Sequence, residues 1–326
     1  MKIVFMGTPD YSVPCLKALV DSGYEVAAVV TQPDKPVGRK RNELVPPDIK
    51  KAALELGIEK ILQPQKVRTQ EFYNELNNIK PDMIVTVAYG KIIPQNILDL
   101  PPMGCINVHG SLLPKYRGAA PIQWAIINGD AVTGITTMYM DTGIDTGDML
   151  LKREIPITED MTYSELYDQL KELGAGALLD TIKGLQAGTL KRIPQNNAEA
   201  TYVPMMTREM GKIDWSKSAE EIHNLVRGTY PWPGSFTTYK GDRLKIWKTK
   251  LIGPEEACSE AIAVLSEKAG GQDKIVPGRV CRIFKDSMVV AAGNGFVKVV
   301  ELQFDNCRRM GICECGHNLD EGEILG

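Results

Sequence analysis

Short apolar runs separated by helical patterns are the feature that most constrains this fold. The first thirty residues contain the runs KIVFMG and YEVAAVVT. Between them Val13, Leu16, Leu19 and Val20 recur at helical spacing until Gly23. Near-continuous apolar strands that alternate with helices are typical of a parallel sheet covered on both faces. The sequence therefore predicts an α/β fold, a Rossmann-like, doubly wound and mostly parallel sheet.

The alternation continues to about residue 188, where the pattern changes. PDMIVTVAYG and CINVHG read as further buried strands, and TGITTMYMD and DMLLKREIPI as a partly exposed sheet edge. A weakly patterned stretch leads to the helix SAEEIHNLVRG and then to about five short strands with glycine turns, typical of a small OB-like β-barrel. We expect domains at 1–188 and 212–326, joined by a linker over 189–211.

Composition limits the classes of protein that the chain can belong to. It has 326 residues, 43% of them hydrophobic, and a net charge of −3. Runs of about 18 apolar residues and a long apolar leader are absent, so we expect a cytoplasmic protein without a membrane span. The seven cysteines favour reduced thiols over disulfides. Since the chain is slightly acidic, any contact with nucleic acid has to come from local basic patches.

Two polar side chains interrupt the apolar run GCINVHG. Asn107 and His109 are two residues apart, so they share one strand face. They also sit at the end of a strand, where doubly wound sheets bind ligands. A hydrogen-bonded core pair is the alternative, and the residue types alone do not decide between the two. The loop MDTGIDTGD adds carboxylates that favour a charged imidazole, unless they only form turns: Asp141, Asp145 and Asp148.

An amide next to a protonated imidazole points to a class of reaction. Both groups donate hydrogen bonds to an oxyanion of the kind that develops in acyl transfer, and His109 can also manage the proton of the attacking nucleophile. Ser111 raises a Ser-His-Asp alternative, but HGSLLP lacks the G-x-S-x-G elbow. The loop FMGTPD is not G-x-G-x-x-G, which argues against a dinucleotide.

Two basic segments are candidates for contact with nucleic acid. The loop KPVGRKR carries Lys35, Arg39, Lys40 and Arg41 without an acid. The segment 240–250, KGDRLKIWKTK, alternates basic and apolar residues as a strand does. The loop suits phosphate contacts and the strand suits a basic, aromatic surface for nucleic acid. A solvated loop and one wet strand face are the plain alternatives.

The C-terminal segment CRRMGICECGH contains four potential metal ligands. They are Cys307, Cys313, Cys315 and His317. Their spacing lacks the C-x₂-C pair of structural zinc sites, so we expect no metal.

Several motifs along nearly the whole chain resemble those of the methionyl-tRNA formyltransferases. They are GTPDYSVPCLKAL, TQPDKPVGR, VTVAYGKIIP, GCINVHGSLLPKYRGAAPIQWAI, MDTGIDTGDML and IDWSKSAEEIHNLVRGTYPWPGSF. INVHGSLLP followed by DTGDM is typical of folate-dependent formyltransferases in general. The basic loop and the C-terminal segment from IDWS to PWP are typical of the tRNA-modifying members.

The resemblance implies a reaction and a catalytic set. The reaction is transfer of a formyl group from 10-formyltetrahydrofolate to the α-amino group of methionyl initiator tRNA. Its product, N-formylmethionyl-tRNA, serves translation initiation. The family's catalytic motif falls on Asn107, His109 and Asp145. Asn107 and His109 would stabilise the tetrahedral oxyanion, while Asp145 would orient His109 and assist proton transfer.

The resemblance also implies binding residues. Folate contacts fall on Ser111, Leu112, Leu113 and Pro114, and the wall of the pterin pocket falls on Val87, Ala88, Tyr89 and Gly90. The family's acceptor-stem arginine matches Arg39. Together with the basic segments, this predicts tRNA contacts from Lys35, Arg39, Lys40, Arg41, Arg243, Lys245 and Lys248. Residues 1–188 then become the catalytic domain and 212–326 the tRNA-binding domain of a monomer.

Two other interpretations compete with this one. A related enzyme can use the same folate with a sugar amine, a glycinamide nucleotide or water as acceptor, but such an acceptor requires neither the basic loop nor the C-terminal barrel. A non-catalytic adaptor that binds nucleic acid leaves Asn107, His109 and Asp145 unexplained.

Overall fold

The chain forms two compact units in a computed structural model that describes residues 1–37, 43–252 and 276–326. Unit 1 comprises Met1–Pro121, Val132–Pro156 and Tyr167–Val203. Unit 2 comprises Ile122–Ala131, Ile157–Leu166 and Pro204–Gly326. The first part of the predicted linker, up to residue 203, therefore packs within unit 1. The predicted domain limits at 188 and 212 stay a prediction.

The strands fall into two groups along the chain. The strands of unit 1 are β1 Lys2–Gly7, β2 Glu25–Val30, β3 Lys35–Val37, β4 Glu43–Val45, β5 Ile61–Leu62, β6 Met83–Val87, β7 Cys105–His109, β8 Arg117–Gly118, β9 Val132–Tyr139, β10 Met149–Pro156 and β11 Tyr202–Val203. The strands of unit 2 are β12 Ser235–Tyr239, β13 Asp242–Leu251, β14 Val280–Ile283, β15 Met288–Ala291, β16 Phe296–Phe304 and β17 Met310–Gly311.

The described residues form eight α-helices. They are α1 Val13–Asp21, α2 Asp48–Glu55, α3 Gln70–Ile79, α4 Gln95–Leu98, α5 Pro121–Ile127, α6 Tyr163–Gln186, α7 Ala219–Gly228 and α8 Ile312–Cys315. Among the described residues, none of the helices is both long and apolar enough to span a membrane.

Unit 1 is built on a seven-stranded sheet in the order β10-β9-β7-β6-β1-β2-β5. The pairs from β7 through β6, β1 and β2 to β5 are parallel, and β9 and β10 add an antiparallel edge. Every residue of β6 is buried, whereas much of β10 is exposed. The predicted Rossmann-like sheet and its partly exposed edge are both confirmed.

Helices cover both faces of this sheet. On one face Val4 and Met6 pack with Phe72 and Leu76 of α3. On the other face α6 approaches closely at Gly174, where an added Cβ would lie 3.2 Å from a Val108 methyl group. The glycine therefore permits the helix to sit directly on β7.

The order of the strands reverses between β1 and β6, so the switch point lies at the carboxyl ends of these two strands, next to β7. The chain builds β2 and β5 on one side of β1, then returns to build β6 and β7 on the other. Thr86 of β6 lies beside Asn107 of β7, so both strands end at the same edge. In open α/β sheets, ligands bind at this kind of reversal.

Unit 2 contains an antiparallel sheet in the order β12-β13-β16-β15-β14, with β17 added to β16. Its core includes Trp215, Leu244, Ile246 and Val299. A β-bulge around 246–249 changes the pairing of β13 with β16. The second domain, predicted as a small OB-like β-barrel, is confirmed as an antiparallel sheet domain.

The capping box of α7 provides a test of how unit 2 is stabilised. The Ser218 hydroxyl accepts from the Glu221 amide at 3.2 Å, and the Glu221 carboxylate accepts from the Ser218 amide at 2.9 Å. Ser218→Ala should lower the free energy of unfolding by about 1 kcal/mol, because it leaves a helix N–H without its acceptor. Urea denaturation followed by tryptophan fluorescence measures the change. Glu221→Gln keeps an acceptor and serves as the milder control; equal stability of Ser218→Ala and wild type would contradict the prediction.

Candidate active site

The structure brings together the three residues of the predicted catalytic set. β9 runs beside β7 with Met138 opposite Asn107, so the loop after β9 begins near the polar pair. The Asp145 Oδ1 atom lies 3.4 Å from Asn107 Nδ2 and 3.6 Å from His109 Nδ1. His109 is buried and Asn107 is partly buried. The two predicted donors therefore point towards one carboxylate oxygen.

The other carboxylate oxygen of Asp145 is anchored. Oδ2 accepts from the Gly118 amide at 2.9 Å, and the Asp145 carbonyl accepts from Gln195 Nε2 at 2.8 Å. Asp145 has a φ of 54°, a left-handed conformation that aspartate tolerates better than most residues. Since the contacts of Oδ1 exceed the usual 2.7–3.2 Å of N–H···O hydrogen bonds, Asn107 and His109 keep donor capacity for a further oxygen.

The His109 ring has an acceptor next to each nitrogen. Nε2 lies 2.9 Å from the Tyr116 carbonyl oxygen, which accepts only, so Nε2 carries a proton. Nδ1 faces the Asp145 carboxylate. Only a ring with a proton on each nitrogen can donate from Nε2 to Tyr116 and also share its Nδ1 proton between the Asp145 carboxylate and an oxyanion.

The other two acids of the loop contribute to a turn and to the backbone pairing between the ends of β9 and β10. The Asp141 Oδ1 atom accepts from the Gly143 amide at 3.0 Å and from the Thr146 hydroxyl at 2.6 Å. The Asp148 carbonyl accepts from the Tyr139 amide. Asp145 is thus the member of this loop that reaches the polar pair.

The segment after β7 is held by internal hydrogen bonds. Ser111 is fully buried, and its hydroxyl donates to the Lys115 carbonyl at 2.6 Å. Thr136 donates to the Ser111 carbonyl and accepts from the Leu113 amide. Leu112 and Pro114 are partly exposed, whereas Leu113 is buried. Ser111 therefore shapes the turn, and the surface on offer comes from Leu112 and Pro114.

Residues 87–90 continue the edge of the sheet beyond β6. Ala88 and Gly90 are exposed and have positive φ, while Val87 and Tyr89 are buried. The Tyr89 carbonyl accepts from the Thr8 hydroxyl at 3.0 Å and from Gln32 Nε2 at 3.1 Å. The predicted wall is therefore rigid backbone with small side chains facing outward.

The predicted basic loop is described only at its base. Lys35 is exposed on the hairpin of β3 and β4, while Arg39, Lys40 and Arg41 lie outside the described residues. Lys50 of α2 donates hydrogen bonds to the carboxylate of Asp34, the residue before β3, at 2.8 and 2.9 Å. These bonds, with another from Gln63, lower the pKa of Asp34.

The predicted basic surface of unit 2 is an array of cations and aromatic rings. The Arg243 guanidinium lies 3.8 Å from the centre of the Phe236 ring, and the Lys245 ammonium lies 5.3 Å from the Trp247 ring. Lys248 is exposed beyond the bulge, opposite Glu301. Arg243 and Lys245 therefore share one aromatic surface, and the bulge separates Lys248 from them.

The same surface extends to residues outside the predicted set. The Arg309 guanidinium lies 5.5 Å from the Trp247 ring and 5.2 Å from the Tyr230 ring. Arg309 also pairs with Glu301, and Trp232 is half exposed in the adjoining loop. The segment that suggested zinc thus contributes an arginine to this surface.

The three cysteines of that segment differ in burial. Burial raises the pKa of the Cys315 thiol, which donates to the Gly311 carbonyl, while Cys307 and Cys313 are exposed. Within the described ranges, no group of three or more His, Cys, Asp or Glu residues is arranged to hold a metal ion.

Sequence reasoning missed three residues that organise the site: Thr136, Arg117 and Gln195. Thr136 lay in a strand read only as a sheet edge, and Gln195 lay in a segment read as linker. Arg117 is 1% exposed and donates to the Gln195 side chain. Their roles depend on contacts between residues distant in the chain, which the sequence pattern does not carry.

Comparison with known proteins identifies relatives over the full length. Residues 1–182 match the formyl transferase family, and residues 205–317 match the formyl transferase C-terminal domain. The methionyl-tRNA formyltransferase of Acetivibrio thermocellus is 54% identical, with complete coverage of both chains. That of Clostridioides difficile is 47% identical, also over the whole of both chains.

Solved structures share the fold at low sequence identity. A sugar 3N-formyl transferase, WlaRD, matches with a TM-score of 0.65 and 20% identity over 94% of this chain and 99% of that one. The methionyl-tRNA formyltransferase from Clostridium thermocellum matches with a TM-score of 0.53 and 20% identity, over 77% and 94%. HypX from Aquifex aeolicus matches at 0.61 and 16% identity over 98% of this chain, which spans 48% of HypX.

Tyr89 provides a test of burial at the edge of the site. Its hydroxyl is buried without a hydrogen-bond partner among the described residues, and burial raises its pKa from 10.0 to about 12. The folded chain therefore holds this proton after the unfolded chain has lost it. The resulting stability is complete below pH 10 and is lost as the pH rises towards 12.

Tyr89→Phe should abolish that part of the alkaline loss. The free energy of unfolding of wild type relative to Tyr89→Phe should fall by about 2 to 3 kcal/mol between pH 10 and 12. Denaturant unfolding at several pH values measures the difference between the two proteins. The cysteine thiols are common to both, so their titration cancels from that difference. Two curves that stay parallel above pH 10 would show that the hydroxyl is not buried as described.

Proposed function

Because the chain belongs to the methionyl-tRNA formyltransferase family, we propose that it formylates the α-amino group of methionyl initiator tRNA. The formyl donor is 10-formyltetrahydrofolate, and the product is N-formylmethionyl-tRNA for translation initiation. The observation that carries the proposal is the convergence of Asn107, His109 and Asp145 at the carboxyl edge of a Rossmann-like sheet. We further propose that the enzyme acts as a monomer in the cytoplasm.

The catalytic proposal assigns one role to each polar side chain. Asn107 Nδ2 and His109 Nδ1 donate to the negative charge that develops on the formyl oxygen when the amine attacks the formyl carbon. Asp145 keeps the imidazolium oriented through Oδ1 and is itself fixed by the Gly118 amide at Oδ2. It also assists transfer of the amine proton towards the departing folate nitrogen. The fold holds these donors in place before the reaction, so no free energy is spent on reorganising them during it.

Folate binding is proposed for the two segments that border this set. Ser111, Leu112, Leu113 and Pro114 form a strip braced by Thr136, whose outward groups come from Leu112 and Pro114. Val87, Ala88, Tyr89 and Gly90 form the wall, with small exposed side chains and a fixed backbone. Backbone amides and carbonyls held in this way suit the polar edge of a pterin, and the apolar side chains suit its faces.

tRNA binding is proposed for the basic residues of both units. Lys35, Arg39, Lys40 and Arg41, in the basic segment predicted from the sequence, would contact the acceptor stem. Arg243, Lys245 and Lys248 would contact phosphates from β13, with Trp247 and Phe236 adding aromatic area. A small acceptor such as a sugar amine requires neither surface. The methionyl-tRNA formyltransferases that are 54% and 47% identical over the whole chain favour the tRNA substrate.

The direct test is formylation of methionyl initiator tRNA by the purified protein supplied with 10-formyltetrahydrofolate. Asn107→Ala and His109→Ala should each lower kcat by roughly 10²- to 10³-fold or more, because each removes a donor to the oxyanion. Acid gel electrophoresis of the aminoacyl-tRNA measures product. His317→Ala changes an exposed histidine of unit 2 and is the matched control.

Two outcomes would contradict this proposal. Absence of formylated product from the wild-type protein would refute the activity. Near-wild-type kcat for His109→Ala would refute the catalytic assignment while leaving the activity in place.

The basic surface of unit 2 predicts a separate effect on tRNA affinity. Lys245→Ala should weaken binding of tRNA and lower the slope of log K against log salt by about one unit, since one phosphate contact is lost. Folate affinity should not change. Fluorescence anisotropy at several salt concentrations measures both quantities.

Lys240→Ala is the matched control for that measurement. Lys240 lies on the same hairpin, and its ammonium already pairs with the Asp320 carboxylate. If both variants reduced affinity equally, general charge rather than the aromatic surface around Trp247 would explain binding.

A further inference from the structure

The Gln195 amide links a buried arginine to the loop that carries Asp145. Its Nε2 donates to the Asp145 and Gly147 carbonyls, both at 2.8 Å. Its Oε1 accepts from Arg117 Nε at 3.0 Å and from Arg117 NH2 at 2.8 Å. Two donors and two acceptor positions are all that a glutamine side chain offers. Every one of them is used here, so the amide is held in a single orientation.

Arg117 is the fixed end of this linkage. It is 1% exposed, and it also donates to the Tyr202 hydroxyl and to Asn197 Oδ1, both at 2.9 Å. All of these acceptors are neutral, and none of the ion pairs among the described residues includes Arg117. A buried cation is costly unless its donors are satisfied, so the geometry around Arg117 is strongly constrained.

The backbone on either side of Arg117 contacts His109 and Asp145. The Tyr116 carbonyl is the partner of His109 Nε2, and the Gly118 amide donates to Asp145 Oδ2. This segment is held from residues 201–203: Thr201 Oγ1 accepts from the Tyr116 amide at 2.8 Å, and β8 pairs with β11 in parallel. Residues 195–203 therefore support both ends of the His109–Asp145 pair.

We propose that Gln195, fixed by Arg117, is a positioning residue that sets the Asp145 carboxylate for catalysis. Residues 195–203, which the sequence suggested to be linker, are then a strap of the active site. The inference rests on the proposed formyl transfer for its kinetic consequence. Gln195 acts through Asp145 and has no contact with the reacting atoms in this assignment.

Gln195→Glu separates positioning from packing. A carboxylate retains the acceptor for Arg117 and forms an ion pair with it, so the buried Arg117 donors stay satisfied. It loses both N–H donors and repels the Asp145 and Gly147 carbonyls. We expect kcat to fall by about 10²-fold, the order of loss associated with a misplacement of about 1 Å, while the KM values and the melting temperature change little.

Gln195→Met tests the same step without adding charge. It should lower kcat in the same direction, although it also leaves two Arg117 donors unpaired and should melt earlier. Asn196→Ala, at an exposed neighbour whose side chain caps the 197–199 turn, is the matched control and should keep wild-type kcat. Wild-type kcat in both Gln195 variants would overturn the proposal, as would a loss of kcat that only follows a loss of folded protein.

A double-mutant cycle tests whether Gln195 acts through Asp145. In an Asp145→Asn background, Gln195→Glu should cause little further loss of kcat, since the group that it positions is already inactive. Multiplication of the two separate losses would overturn the proposal, because it would mean that Gln195 acts by another route.

Imidazole NMR supplies a measurement that does not depend on turnover. The chain has three histidines, His109, His223 and His317, so their ring resonances can be assigned by substitution. Gln195→Met should shift the His109 resonances and leave those of His223 and His317 in place. A shift in a protein that does not formylate tRNA would refute the proposed function but support the positioning role. Unchanged His109 resonances would overturn the positioning role, whatever the activity of the wild type.

Discussion

The site depends on the different contacts that the two carboxylate oxygens of Asp145 make. Oδ2 is tied to the Gly118 amide, and Oδ1 faces Asn107 and His109 at distances too long for saturated hydrogen bonds. If both carboxylate oxygens formed short hydrogen bonds, the donors of Asn107 and His109 would be occupied. If neither oxygen did, the carboxylate would not be oriented. The anchored oxygen therefore gives direction, while the open one leaves donor capacity for a substrate.

The sheet supplies the rigidity that this arrangement needs. β7 lies between β6 and β9, so Asn107 and His109 stand on a strand that is paired on both sides. Close packing of α6 at Gly174 covers the opposite face of the same strand. Small errors in the position of catalytic groups are expensive in rate, and side chains on a central strand vary less in position than side chains on a loop.

Unit 2 makes a different physical contribution. It surrounds Trp247 with Lys245 and Arg309, and it stacks Arg243 on Phe236. Cations over aromatic rings keep their charge while their side chains are ordered. That combination suits a chain whose net charge is −3, because affinity for a polyanion must come from a local surface and not from the overall field.

The sequence by itself determined the Rossmann-like sheet, the antiparallel second unit and the strand that carries Asn107 and His109. These follow from local periodicity, in which residues i and i+2 share a strand face and apolar runs mark buried strands. It did not separate Asp145 from Asp141 without the family resemblance, and it read Gln195 as linker. The contacts of both residues depend on tertiary structure, because the pairing of β8 with β11 accompanies the meeting of Gln195, Arg117 and Asp145. Contacts across such chain separations leave no period in the sequence, so only the folded chain reveals them.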